Sequence, residues 1–153
     1  MAIPSLPDDF KELLRLLGSN GVEYLLIGGY AVNIYGYVRT TNDLDIWVNI
    51  STENAARVDL ALRQFGFGNA GLSADLFLAE NSIVRMGFPP VRIEVLTSIS
   101  GVDFASCYAE KEMIEIEEMM VPVISLARLR DNKAASGRLK DLADLDNLPA
   151  KMG

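Results

Sequence analysis

Phe10, Leu13, Leu14 and Leu17 recur at three- and four-residue intervals behind the acidic pair Asp8 and Asp9, which predicts an amphipathic helix ended by the glycines at 18 and 21. A short apolar strand over Tyr24–Ile27 then runs into Gly28-Gly29, and residues 30–35 suit a second helix, so this stretch reads as strand, glycine turn, helix. In Asp43–Val48, DLDIWV, acidic or aromatic residues alternate with aliphatic ones at period two, the mark of a strand with two different faces. Val58, Ala61, Leu62 and Phe65 predict a further helix closed by Gly66. Short strands are expected over 76–78, 83–86, 92–96 and 113–117, with Pro89-Pro90 as a turn, and two closing helices over 126–135 and 139–148 divided by Ser136-Gly137. Helices and strands mix without a regular βαβ rhythm. The expectation is an α+β fold, a mixed β-sheet covered by helices, forming a single domain over residues 1–153.

Composition narrows the chemistry. The 153 residues contain no histidine, which removes Ser-His-Asp and Cys-His catalysis, histidine-bound zinc or haem, and a histidine pH switch from this stretch. Catalysis would fall to carboxylates, Lys, Tyr or a metal. The lone Cys107 reads as an inert, part-buried thiol and suits a reducing compartment. The longest apolar run is far shorter than the roughly 18 residues a membrane span needs, and the first residues carry acids rather than a basic leader, so the expectation is a cytoplasmic protein with no membrane partner. A net charge of −7 argues against a broad nucleic-acid footprint, although a metal could still bridge acid to phosphate.

Asp43 and Asp45 lie two apart on their strand, so both side chains leave one face with Cα atoms about 7 Å apart. Leu44, Ile46 and Val48 face the core and fix the register, because a slip of one residue would bury both acids. Like charges held this close favour a cation between them, and Mg²⁺, a hard ion that shares oxygen ligands with phosphates, is the natural guest. Glu94, within VRIEVL, is the candidate third carboxylate of a two-metal cage; its competing reading is a pair with Arg92 on the same face. Gly28 and Gly29, between strand and helix, would let backbone NH groups approach a phosphate, or form no more than a tight turn. The GFGNAG of residues 66–71 follows a helix rather than a strand and reads as a loop, not a dinucleotide fingerprint. Glutamates at 110, 112, 115, 117 and 118 suggest a half-exposed strand whose charges discourage edge pairing. Trp47 shares the Asp45 face and would either wall a site or pack in the core.

Ile27-Gly28-Gly29, thirteen intervening residues, and Asp43-Leu44-Asp45-Ile46 together resemble the signature of the DNA polymerase β-like nucleotidyltransferase superfamily. The stretch GGYAVNIYGYVRTTNDLDIWV is also similar to its small bacterial branch, which includes lincosamide and aminoglycoside nucleotidyltransferases and AbiEii-like toxins, where an Arg and a Thr precede the acids as Arg39 and Thr41 do here. The closing segment, with Lys133, Arg138, Lys140 and Asp141, is similar to the end of the same domains. The resemblance implies a nucleotidyltransferase fold and transfer of a nucleoside monophosphate from an NTP to an acceptor hydroxyl, releasing pyrophosphate. It implies two Mg²⁺ ions held by Asp43, Asp45 and Glu94, with Glu94 able to accept the hydroxyl proton. Gly28 and Gly29 would cradle phosphates, and Arg39, Thr41, Lys133, Lys140 and Asp141 would face the nucleotide. Lys133, Arg138 and Lys140 read equally as solvated helix faces, with Arg138 and Asp141 spaced for an i,i+3 pair. The acceptor, whether small molecule, tRNA or protein, is not legible, and a homodimer is expected by analogy alone. Two alternatives stand beside this reading: a catalytically silent module of the same fold, and the toxin-like half of a toxin-antitoxin pair.

Overall fold

The computed structural model describes residues 5–68 and 71–151. The chain runs α1 (Asp8–Ser19), β1 (Tyr24–Ile27), α2 (Gly28–Ile34), β2 (Asp43–Val48), α3 (Thr52–Leu62), β3 (Ile83–Phe88), β4 (Val91–Leu96), α4 (Phe104–Ala109), β5 (Glu112–Ile116), β6 (Met119–Val123), α5 (Leu126–Ser136) and α6 (Leu139–Asn147). The strands form one six-stranded sheet in the order β3-β4-β2-β1-β6-β5. It is a mixed sheet: β2 runs parallel to β4 and β1 parallel to β6, while the β1–β2, β3–β4 and β5–β6 pairs are antiparallel.

The predicted periodicities explain what is buried. Phe10, Leu13, Leu14 and Leu17 of α1 are inaccessible, as are Leu44, Ile46 and Val48 of β2, so the alternation in DLDIWV did set the core face. β1, an unbroken apolar run, is covered on both faces, which is why its sequence shows no alternation. Trp47 is core: its ring meets Phe104 edge-on at 5.2 Å and its indole NH donates to the Thr97 carbonyl at 3.3 Å. Cys107 is fully buried, and burial pushes its thiol up to about 11, which keeps it an inert thiol.

Some expectations are corrected. Residues 76–78 are not a strand: Ala74–Phe77 is a 3₁₀ turn capped by the Ser73 side chain, which accepts from the Asp75 NH. Three apolar residues in a row cannot distinguish the two, and only Phe77 reaches the core. The helix expected around Phe65 ends at Leu62 and continues as a π-helical turn over Arg63–Phe67. Residues 69 and 70 of the GFGNAG segment lie outside the described residues. Two elements had no predicted counterpart, α4 and β6. β6 contains Pro122, a poor strand residue, tolerated because β6 meets β1 in register only at Val123. β5 is an edge strand, and Glu112 and Glu115 on it are exposed, in keeping with charges that discourage further pairing. No helix among the described residues is long and apolar enough to cross a membrane.

Candidate active site

The parallel pairing of β2 with β4 sets Asp43 opposite Arg92 and Asp45 opposite Glu94. All three acids therefore occupy one sheet face, on the walls of a cavity of about 490 Å³ that Gly28, Gly29, Arg39, Lys133, Lys140 and Asp141 also line. Of the residues expected at the site, only Thr41 does not line it. Its hydroxyl is turned back, donating to the Asp43 carbonyl at 3.3 Å and standing 2.5 Å from where a Cβ on Gly29 would be. Thr41 thus supports the glycine turn from behind.

Gly28 has a φ of +69°, and a Cβ built there would run into the Asp45 carboxylate. Only glycine admits both the backbone angle and the close approach. Above this turn Asp45 is held in an unusual state. Burial first, then the charges of Glu94 and Asp43, push its carboxyl up to about 8, with Lys133 pulling the other way. Its Oδ1 is buried without a hydrogen-bond partner, and orphaned buried oxygens of this kind are rare in folded proteins.

The other two acids are paired, and not as expected. Arg92 does not bond Glu94: it reaches across to Asp43 in a two-pronged pair, Nε to Oδ1 at 2.7 Å and Nη2 to Oδ2 at 2.9 Å. Glu94 instead accepts from Arg85 Nε of β3 at 2.8 Å. Same-strand spacing pointed to the i,i+2 neighbour, whereas the cross-strand partner directly opposite is closer. With Asp43 and Glu94 turned onto arginines, no group of three or more acidic, Cys or His side chains among the described residues stands assembled around a metal position. The donor set still suits a hard divalent cation: three carboxylates on one face, the central one with an unused oxygen.

A second charged cluster forms another wall of the cavity. Lys133 is buried rather than a solvated helix face, its Nζ 2.9 Å from Asp141 Oδ1 and 3.0 Å from Asp144 Oδ2. Asp144 also takes the Arg39 guanidinium in a two-pronged pair at 2.7 and 2.8 Å. Burial acts to raise Asp141, yet hydrogen bonds from Ser136, Lys133 and Arg138 outweigh it and hold the carboxyl down at about 2. The i,i+3 pair of Arg138 and Asp141 is present at 2.9 Å. Asp144 escaped the sequence reading, although one signal was there: Asp141 and Asp144 are spaced three apart, on one helix face. That face is buried while Leu139 and Leu142 are exposed, so α6 turns its acids inward against hydropathy. Lys140 is exposed at the cavity wall.

No protein-family model matches the chain, and no curated protein does. Among solved structures it is similar to a "putative nucleotidyltransferase" from Thermotoga maritima, with a TM-score of 0.60 and 15% identity over 90% of this chain and 88% of that one. At that identity the likeness speaks for architecture, and the conclusion is that this chain, whose described residues form a six-stranded mixed sheet with six α-helices, has a nucleotidyltransferase-like fold.

Proposed function

We propose that this protein is a Mg²⁺-dependent nucleotidyltransferase of the small bacterial branch, which moves a nucleoside monophosphate from an NTP to an acceptor hydroxyl and releases pyrophosphate. The observation that carries the reading is Asp45: a half-buried acid with one buried, unpartnered oxygen, flanked by Asp43 and Glu94 and seated on a glycine turn that only a missing side chain permits. An acid in that state costs stability unless something cationic completes it.

Asp43, Asp45 and Glu94 would hold two Mg²⁺ ions. When bound, they supply charge neutralisation of the triphosphate and a lowered pKa for the attacking hydroxyl. The remaining roles belong to the chain. The Gly28-Gly29 turn has no Cβ to keep a phosphate away. Glu94, at the cavity wall, would accept the acceptor's proton. Lys133 donates to Asp141, stands 3.0 Å from Asp144 Oδ2, and at the cavity wall would offset charge building on the leaving pyrophosphate. Arg39, locked to Asp144, fixes the α2–β2 connection against α6, which keeps the glycine turn and the Lys133 side chain in one frame.

The test is incubation with each α-labelled NTP, Mg²⁺ and a cell extract. Label should pass to one acceptor class with release of pyrophosphate, and Asp45→Asn should abolish it. Full activity in that variant would reject the assignment. One observation favours a second reading, a silent nucleotide-binding module: Asp43 and Glu94 are both engaged by arginines. NTP binding without label transfer to any fraction would select it.

A further inference from the structure

The sheet face that carries the acids is laid out in two rows. One runs Arg85, Glu94, Asp45 and Ile27 across β3, β4, β2 and β1; the next runs Gly87, Arg92 and Asp43 across β3, β4 and β2. Each outer acid therefore has a guanidinium at the adjacent register position, and Asp45, which neighbours both acids, has none.

Two kinds of ion pair surround the cavity. Arg39 and Lys133 are 16% and 7% exposed and hold acids that are almost inaccessible, so releasing them would strand buried charge. Arg85 and Arg92 are 61% and 36% exposed, and their head groups can return to water with little loss. The first set is fixed and the second can yield.

We propose that Arg85 and Arg92 are resident counter-ions of the metal site, holding Glu94 and Asp43 while no divalent ion is bound and swinging into solvent when one binds. The inference rests on the metal-site reading above. Arginine and metal compete for the same carboxylate oxygens, so each arginine lowers metal affinity and the ion weakens each arginine's hold to the same degree. The pairs also offset the charges of the two acids that flank Asp45 while the site is empty. They set the metal concentration at which the site fills.

The experiment titrates the wild-type chain, Arg92→Gln, Arg92→Lys and Arg85→Gln with Mn²⁺, following free ion by electron paramagnetic resonance and thermal unfolding with and without the metal. Arg92→Gln should bind Mn²⁺ about two- to fivefold more tightly than wild type, the scale of an exposed ion pair. Arg92→Lys should fall between. Without metal Arg92→Gln should unfold at a lower temperature, and saturating Mn²⁺ should close the gap. If Arg92→Gln does not fold, the exposed Arg85 gives the same test through Arg85→Gln. Binding by wild type together with unchanged or weaker binding in both glutamine variants overturns the counter-ion role and leaves the metal site standing. No Mn²⁺ binding by any of the four proteins overturns both.

Discussion

Gly28 is the seat of the Asp45 carboxylate: the space a Cβ would fill is occupied by that acid, and the backbone there takes a φ of +69°. Gly28→Ala meets both obstacles together. It should destabilise the protein by roughly 2 kcal/mol or more, combining left-handed strain of about 1 kcal/mol with a steric clash. Urea denaturation reads the stability, and nucleotidyl transfer should fall to background because Asp45 must move. A variant of wild-type stability would show that the turn is not under this constraint.

Asp45→Asn should separate stability from activity. The amide keeps the shape and spares the folded protein the cost of an acid that burial and the charges of Glu94 and Asp43 push up to about 8, a cost present wherever the unfolded carboxyl, near 3.8, is ionised. In metal-free buffer at neutral pH the variant should gain about 1–2 kcal/mol, the scale of one pKa unit or slightly more of relieved repulsion, while losing transfer. A loss of stability on substitution, measured by thermal unfolding, would mean that Asp45 holds the fold rather than a ligand.

Asp144→Ala should be among the costly substitutions, since it leaves Arg39 without its two-pronged partner and Lys133 with one acid instead of two. Breaking a buried pair from one side costs roughly 3–5 kcal/mol. Chemical denaturation should show a loss of that order. Asp144→Asn, which keeps one acceptor oxygen, should recover part of it.

Acid stability should carry the mark of Asp141. Its carboxyl sits at about 2 in the folded protein, below its ordinary value of 3.8, so the folded state favours the ionised form. The stabilisation is complete above about pH 5, declines once the unfolded acid begins to protonate, and is lost as pH falls through about 2, because both states are then protonated. The contribution is at most about 2 kcal/mol. Unfolding free energy measured from pH 5 to pH 2 should fall more steeply in wild type than in Asp141→Asn. Parallel curves would assign the acid sensitivity elsewhere.

Much of the fold could be read from local periodicity. The spacing of Phe10, Leu13, Leu14 and Leu17 and the alternation in DLDIWV each describe a face, and burial of those faces is what the chain folds to achieve. The same alternation put Asp43 and Asp45 together, and an acid set among the aliphatics of VRIEVL nominated Glu94 to join them; the cavity lining includes all three. Short or interrupted segments escaped: β6 carries a proline, and the 3₁₀ turn at 74–77 and the six-residue α4 have too few residues to show a period.

The sequence by itself decided which side chains point to which face, because that depends only on the twofold or 3.6-fold repeat of the backbone. Tertiary structure decided who meets whom. Arg92 holds Asp43 and Arg85 holds Glu94 because β2 and β3 flank β4 at a particular register, and Asp144 gathers Arg39 and Lys133 because α6 docks its acidic face inward. Charge pairs form between residues 49 and 105 positions apart, and no local repeat carries information over that distance.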